Sequence, residues 1–125
     1  MANSPNGCLP EHKAKRMFHE LVSVLAKMHE LGFVHRDIML SNIFLREGQV
    51  IRVGDLGSAT KYKGTKMQVF NGNQGTIAPE MFLCKLGLCQ DGYTEKIDVY
   101  SLGVLFFWLI CGSPLFDIKK VADCD

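Results

Sequence analysis

No sign of charge prevails in this 125-residue chain, where 14 Lys and Arg stand against 13 Asp and Glu for a net charge of +1. Such a balance sets up no global field for nucleic acid or an anionic membrane surface, so neither is expected as a partner. Long apolar runs are lacking too. The most apolar stretch, "VYSLGVLFFWLICG", is well short of the roughly 20 residues a bilayer span requires and reads as a buried core helix. The opening "MANSPNGCLPEHK" has no apolar core behind a basic start, so no secretory leader is expected and the chain is assigned to cytoplasm or nucleus. The five cysteines (Cys8, Cys84, Cys89, Cys111 and Cys124) contain no C-x-x-C pair, are odd in number and are irregularly spaced. That pattern argues against a zinc site or a redox dithiol, and reduced thiols are expected.

What is present is a composition of 47% apolar and 22% charged residues, that of one folded domain. Residues 1–8 are rich in Asn, Ser, Pro and Gly and are expected to fray, as are residues 119–125. Ala14, Met17, Phe18, Leu21, Val22, Leu25, Met28 and Leu31 recur at helical spacing, with Gly32 as a stop. Lys13, Lys15, Arg16, Glu20, Lys27 and Glu30 fall on the solvated side of that helix. After "FV" comes the octapeptide "HRDIMLSN" at 35–42, then "IFL", "REGQ" and "VIRV", which read as a loop feeding a β-hairpin. From Asp55 to Asn73 the chain is polar and Gly-rich with no period, a loop long enough to be functional. A short helix opens at Pro79. A long apolar helix follows, with Thr94 as its N-cap, Glu95 in its first turn, and Gly112 and Pro114 at its end. Trp108, Phe106, Phe107 and Leu109 are assigned to its core face. The fold class is thus α+β and mainly α, with a short hairpin beside the octapeptide.

Asp37, Asn42 and Asp55 are the residues with chemistry to offer. Two carboxylates and a carboxamide oxygen, gathered by the hairpin, make a hard-oxygen site suited to Mg²⁺, an ion that ordinarily arrives with substrate phosphates. Asp37 beside it can accept or orient the proton of an attacking hydroxyl. Each motif alone is weak; their order and spacing carry the case. "HRDIMLSN", "DLG" at 55–57, "APE" at 78–80 and "DVYSLG" at 98–103 together resemble the eukaryotic protein kinase family, serine/threonine type, over residues 9–118. Within it, "SNIFL" and "VGD" are most similar to the stress kinases that phosphorylate a translation initiation factor.

The resemblance implies an incomplete C-lobe with ATP and Mg²⁺ as cofactors and a protein substrate or partner kinase. Asp37 becomes the catalytic base, Asn42 and Asp55 hold the metal, and Arg36 pairs with a phosphate placed on Thr60, Tyr62 or Thr65. His35 and Asp98 become structural, with Asp98 anchoring the catalytic-loop backbone; a metal on His29 and His35 is discounted.

The departures from the family pattern are equally specific. Met39 stands where the family has a catalytic-loop lysine, and Leu40 where proline follows. Losing that charge costs on the order of 3 kcal/mol of transition-state stabilisation, about a hundredfold in rate. Leu56 replaces the Phe of the DFG motif and is expected to pack in its place. In "NGNQGTIAPE" either Gly75-Thr76 or Gly72-Asn73 holds the place of the substrate-loop Gly-Thr, and both alignments disturb peptide docking. Nothing before residue 9 provides a Gly-rich loop, strand lysine, helix glutamate or hinge, so the ATP-clamping N-lobe is expected to be missing. With no helices after "GSPLFD", Glu80 is expected to lack its usual arginine, and the underside of the long helix is expected to lie exposed. The expected activity is accordingly weak or absent phosphoryl transfer, with a pseudokinase-like binding module or decoy as the alternative.

Overall fold

The computed structural model describes residues 8–46, 49–69 and 75–115. The expectations for residues 1–7 and 116–125, and for the Gly72-Asn73 alternative, lie outside them. The first element is helix α1 (Glu11–Glu30), whose buried residues Ala14, Met17, Leu21 and Leu25 share one stripe. Glu11 in its first turn and Lys27 and His29 in its last match the polarity of the helix dipole. Strand β1 (Phe33–Val34) leads into the octapeptide, which closes with a 3₁₀ turn at Leu40–Asn42. Strands β2 (Ile43–Arg46) and β3 (Gln49–Val53) then pair antiparallel, with a register irregularity between Phe44 and Leu45. This is the expected hairpin.

The segment expected to be featureless is not. A 3₁₀ turn at Leu56–Ser58 is followed by strand β4 (Thr60–Lys61), paired antiparallel to β1 in the register Phe33↔Lys61 and Val34↔Thr60. Farther on, Met67 bridges Tyr93. A two-residue strand has no detectable alternation, and its partner lies far back in the chain, so no local pattern announced it.

Helix α2 (Pro79–Lys85) begins with proline in its first turn, where a missing N–H costs nothing. Helix α3 (Lys96–Cys111) starts with Glu95 at the cap position. Thr94 sits one residue earlier, and its hydroxyl accepts from the Lys96 amide at 3.4 Å. Gly112 ends α3 at φ 72°, a left-handed conformation that suits glycine, with its N–H donating to the Trp108 carbonyl at 2.8 Å.

Two apolar clusters hold these elements together. The first joins α1 to α3: Met17, Leu21 and Leu25 meet Leu102, Leu105 and Leu109, with Ile38 and Ile43 from the octapeptide and hairpin between them. Each such side chain contributes about 1.5–3 kcal/mol by leaving water. The rings of Phe18 and Phe106 meet at a tilt of 40°, 4.4 Å between centroids. The second cluster is Val34, Ala78, Met81, Tyr93 and Ile97, and it fastens α2 and the start of α3 to β1.

Two expectations about packing and pairing are corrected, and the burial of Glu80, left open by the sequence, is decided. Leu109 is buried and Phe106 partly so, but Trp108 is 38% exposed and Phe107 lies on the open side with it. Helix α3 is apolar around its whole circumference, while α1 covers only one side of it. Glu80 is half-exposed rather than buried, so it needs no buried counter-charge. Cys84 and Cys89 are joined in a disulfide rather than reduced. The turn after α2, where the Gly87 and Leu88 amides bond back to Cys84 and Leu83, returns the chain beneath the helix end and brings the two sulfurs together.

Candidate active site

The start of the octapeptide is secured from outside by one carboxylate. Asp98, in the first turn of α3 and 1% exposed, accepts the His35 amide at 2.8 Å through Oδ2 and the Arg36 amide at 2.9 Å through Oδ1. The His29 ring, at the end of α1, donates Nε2–H to the same Oδ2 at 2.8 Å. Three donors on one buried carboxylate offset much of its desolvation and tie α1, the loop and α3 at a point. His29 and His35 therefore share Asp98 through a ring and an amide.

His35 is fully buried and organises the loop from within. Its Nδ1 accepts the Asp37 amide at 3.1 Å, so the ring proton resides on Nε2, which donates to the Gly54 carbonyl at 2.9 Å. Gly54 in turn donates its N–H to the Asn42 carbonyl at 2.7 Å. These bonds connect the octapeptide to the end of β3, directly before Asp55.

Asn42 is buried, and its Nδ2 donates to both the Asp37 backbone carbonyl (2.7 Å) and the Asp37 Oδ2 (3.2 Å). The carboxamide nitrogen is thereby committed, and the amide oxygen is the atom left for a cation. Asp55 adopts φ 52°, an uncommon left-handed conformation, and its Oδ1 accepts the Gly57 amide at 3.4 Å. The structure thus brings Asp37 and Asn42 into side-chain contact, and the Gly54–Asn42 bond holds the backbone just before Asp55 against the octapeptide, while the Asp55 carboxylate turns to the Gly57 amide. An amide oxygen and exposed or half-exposed carboxylates are a donor set that fits Mg²⁺.

Arg36, also left-handed at φ 69°, reaches elsewhere: Nε donates to the Ser58 carbonyl at 2.6 Å and Nη1 to the Tyr93 hydroxyl at 3.3 Å. Of the residues considered as phosphate carriers, Thr60 lies in β4, Thr65 is exposed and Tyr62 is partly buried. Burial, and after it the Glu95 carboxylate nearby, hold the Tyr62 phenol above its ordinary range. Ser101 secures the other side of the site by donating its hydroxyl to the Thr76 carbonyl at 2.6 Å.

Leu56 does not fill the place expected of it. It is 61% exposed and lines a groove of about 1010 Å³ with Val24, Met28, Leu31, Phe33 and Val53. The 3₁₀ turn that begins at Leu56 carries its side chain outward, away from either apolar cluster.

Comparison with known proteins shows the family. The protein kinase domain family matches residues 2–124. The chain belongs to that family. Among curated members, this kinase-like chain is 37% identical over 107 residues to sporulation-specific protein 1 of Saccharomyces cerevisiae, covering 85% of the chain and 21% of that protein. It is 37% identical over 119 residues to sperm motility kinase 3A of Mus musculus, covering 92% and 23%. With serine/threonine-protein kinase plk-1 of Caenorhabditis elegans the figures are 30% over 114 residues, 90% and 17%. The chain therefore spans roughly a fifth of the length of these three relatives. Members of the family bind ATP and Mg²⁺.

Sequence reasoning missed Tyr93, Ser58 and the ring of His29 as parts of this kinase-like site. Tyr93 and Ser58 come from segments read as loops, and no spacing rule connects either to Arg36. The His29 ring carried one usable signal, its place in the last turn of α1, where a donor can reach across to the neighbouring element.

Proposed function

We propose that residues 9–118 form the part of a serine/threonine kinase domain that carries the catalytic loop and the metal-binding aspartate, the upper part of a C-lobe, with impaired phosphoryl transfer. The observation that carries this reading is the Asn42–Asp37 contact, with Nδ2 at 2.7 and 3.2 Å from the Asp37 oxygens, in a loop whose backbone is anchored on Asp98. Asn42 and Asp55 are the residues that would hold Mg²⁺, and Mg-ATP when bound supplies the phosphoryl group. Asp37 orients the attacking protein hydroxyl and takes up its proton. Arg36 supports Asp37 through the loop backbone. Impairment follows from Met39, whose thioether presents no charge where the family uses a lysine to offset developing phosphate charge.

The test is a phosphotransferase assay on the purified chain with Mg-ATP and generic protein substrates, alongside Asp37→Asn and Met39→Lys. The expected outcome is transfer close to background, raised about tenfold or more by Met39→Lys. Robust transfer by the unaltered chain, abolished by Asp37→Asn, would overturn the impaired reading.

A second reading, a pseudokinase-like module that docks on a full kinase or its substrate, is favoured by the open apolar groove beside Leu56 and the exposed Phe107 and Trp108 on α3. Co-purification with a full-length kinase supports it; a monomeric, partnerless chain in cell extract counts against it.

A further inference from the structure

The guanidinium of Arg36 has its partners supplied from within the chain, and one of them has no assigned role. Tyr93 is 2% exposed, with its ring in the cluster of Val34, Ala78, Met81 and Ile97. Packing alone accounts for the ring, but not for the hydroxyl, which accepts from Arg36 Nη1 at 3.3 Å and donates to the Val69 carbonyl at 2.5 Å. The Tyr93 backbone also exchanges both ladder bonds with Met67, the Met67 amide at 2.8 Å and the Tyr93 amide at 2.7 Å. One oxygen thus joins the octapeptide to the segment after β4, and the same residue holds that segment by its main chain.

We infer that Tyr93 is a positioning residue whose hydroxyl is a built-in counter-group for Arg36, coupling the catalytic loop to the Met67–Val69 segment without a phosphate. This deepens the proposed function, since it rests on Arg36 and Asp37 belonging to a catalytic loop. The chemistry is balanced: a phenol has one O–H to give and lone pairs to receive, and here both capacities are used, the acceptor toward a cation and the donor toward a carbonyl. A hydrogen bond from a charged donor in a largely buried setting is stronger than a neutral one, and a shared oxygen makes its two bonds depend on each other. The second Arg36 bond, Nε to the Ser58 carbonyl at 2.6 Å, fixes the guanidinium plane so that Nη1 meets the phenol. Loop order at Arg36 and pairing at Met67 are therefore linked properties.

The experiment is a double-mutant cycle in the full chain with Tyr93→Phe and Arg36→Met, read by amide hydrogen exchange at Met67 and at Arg36, on protein treated with phosphatase. Tyr93→Phe keeps the ring and removes only the hydroxyl. The unaltered, unphosphorylated chain should protect both amides. Each single substitution should speed exchange at both by about tenfold, and the double variant should be no faster than the singles. Unchanged exchange in Tyr93→Phe, or single effects that multiply in the double variant, would overturn the inference. Should Arg36→Met fail to fold, Arg36→Lys completes the cycle. Exchange is read without substrate, so a chain that transfers no phosphate fails the functional proposal alone, and uncoupled amides fail this one alone.

Discussion

Asp98 illustrates how much a single residue decides in this molecule. Its two oxygens receive His29, His35 and Arg36, so that one side chain of α3 binds both α1 and the octapeptide. Asp98→Ala strands two backbone N–H groups and a ring N–H in the interior, so it should cost about 3 kcal/mol or more of unfolding free energy, measurable by urea denaturation. Asp98→Asn keeps one acceptor and should cost less. Tyr62 offers a test of opposite character, through pH. Burial first, then Glu95, raises its folded pKa above the ordinary value of 10.0. Its contribution is therefore fully present below the unfolded value and is lost as pH rises through the folded one. Tyr62→Phe should flatten the alkaline limb of a stability-against-pH curve above the ordinary phenol value of 10.0. The sequence placed Asp98 correctly as the loop's anchor by resemblance, whereas the Tyr62–Glu95 proximity depends on two segments that no spacing relates.

At the level of elements, the helices and the hairpin were legible, and strand β4 was not. The stripe of α1 and the apolar length of α3 are local properties, and both helices formed within a residue or two of their expected ends. Strand β4 and the Met67–Tyr93 bridge are defined by partners far away in the chain. Gly92 makes that bridge possible. It has φ 72°, and a Cβ there would lie 2.5 Å from the Met67 carbonyl oxygen, a backbone atom with little room to move. Gly92→Ala should therefore break the Met67–Tyr93 pairing, seen as faster exchange of the Met67 amide, at a stability cost of about 1–3 kcal/mol. The turn after α2 is a second case: spacing of five between Cys84 and Cys89 gave no motif, yet the helix end folds the chain back so that the sulfurs meet. Alkylation of the native chain followed by peptide mass analysis should label Cys111 directly and Cys84 and Cys89 only after a reductant is added.

Across the whole molecule, two helices clasp the octapeptide loop, and apolar surface remains outside the clasp. Trp108 is the one tryptophan and is part of that surface, so its fluorescence should be reached by a soluble quencher in the folded chain. A fully protected tryptophan would show that α3 is covered in solution. Sequence by itself determined which segments are helical, that a hairpin follows the octapeptide, and which short motifs stand in kinase order, because helix periodicity and motif spacing are properties of neighbours along the chain. Tertiary structure alone decided that Arg36 meets Tyr93, that Leu56 faces outward, that Trp108 is left open and that two cysteines pair. The Arg36–Tyr93 contact and the open face at Trp108 depend on packing between residues tens of positions apart, whereas Leu56 and the cysteine pair, five residues apart, depend on how a single turn folds the chain, which the spacing of residues alone does not fix.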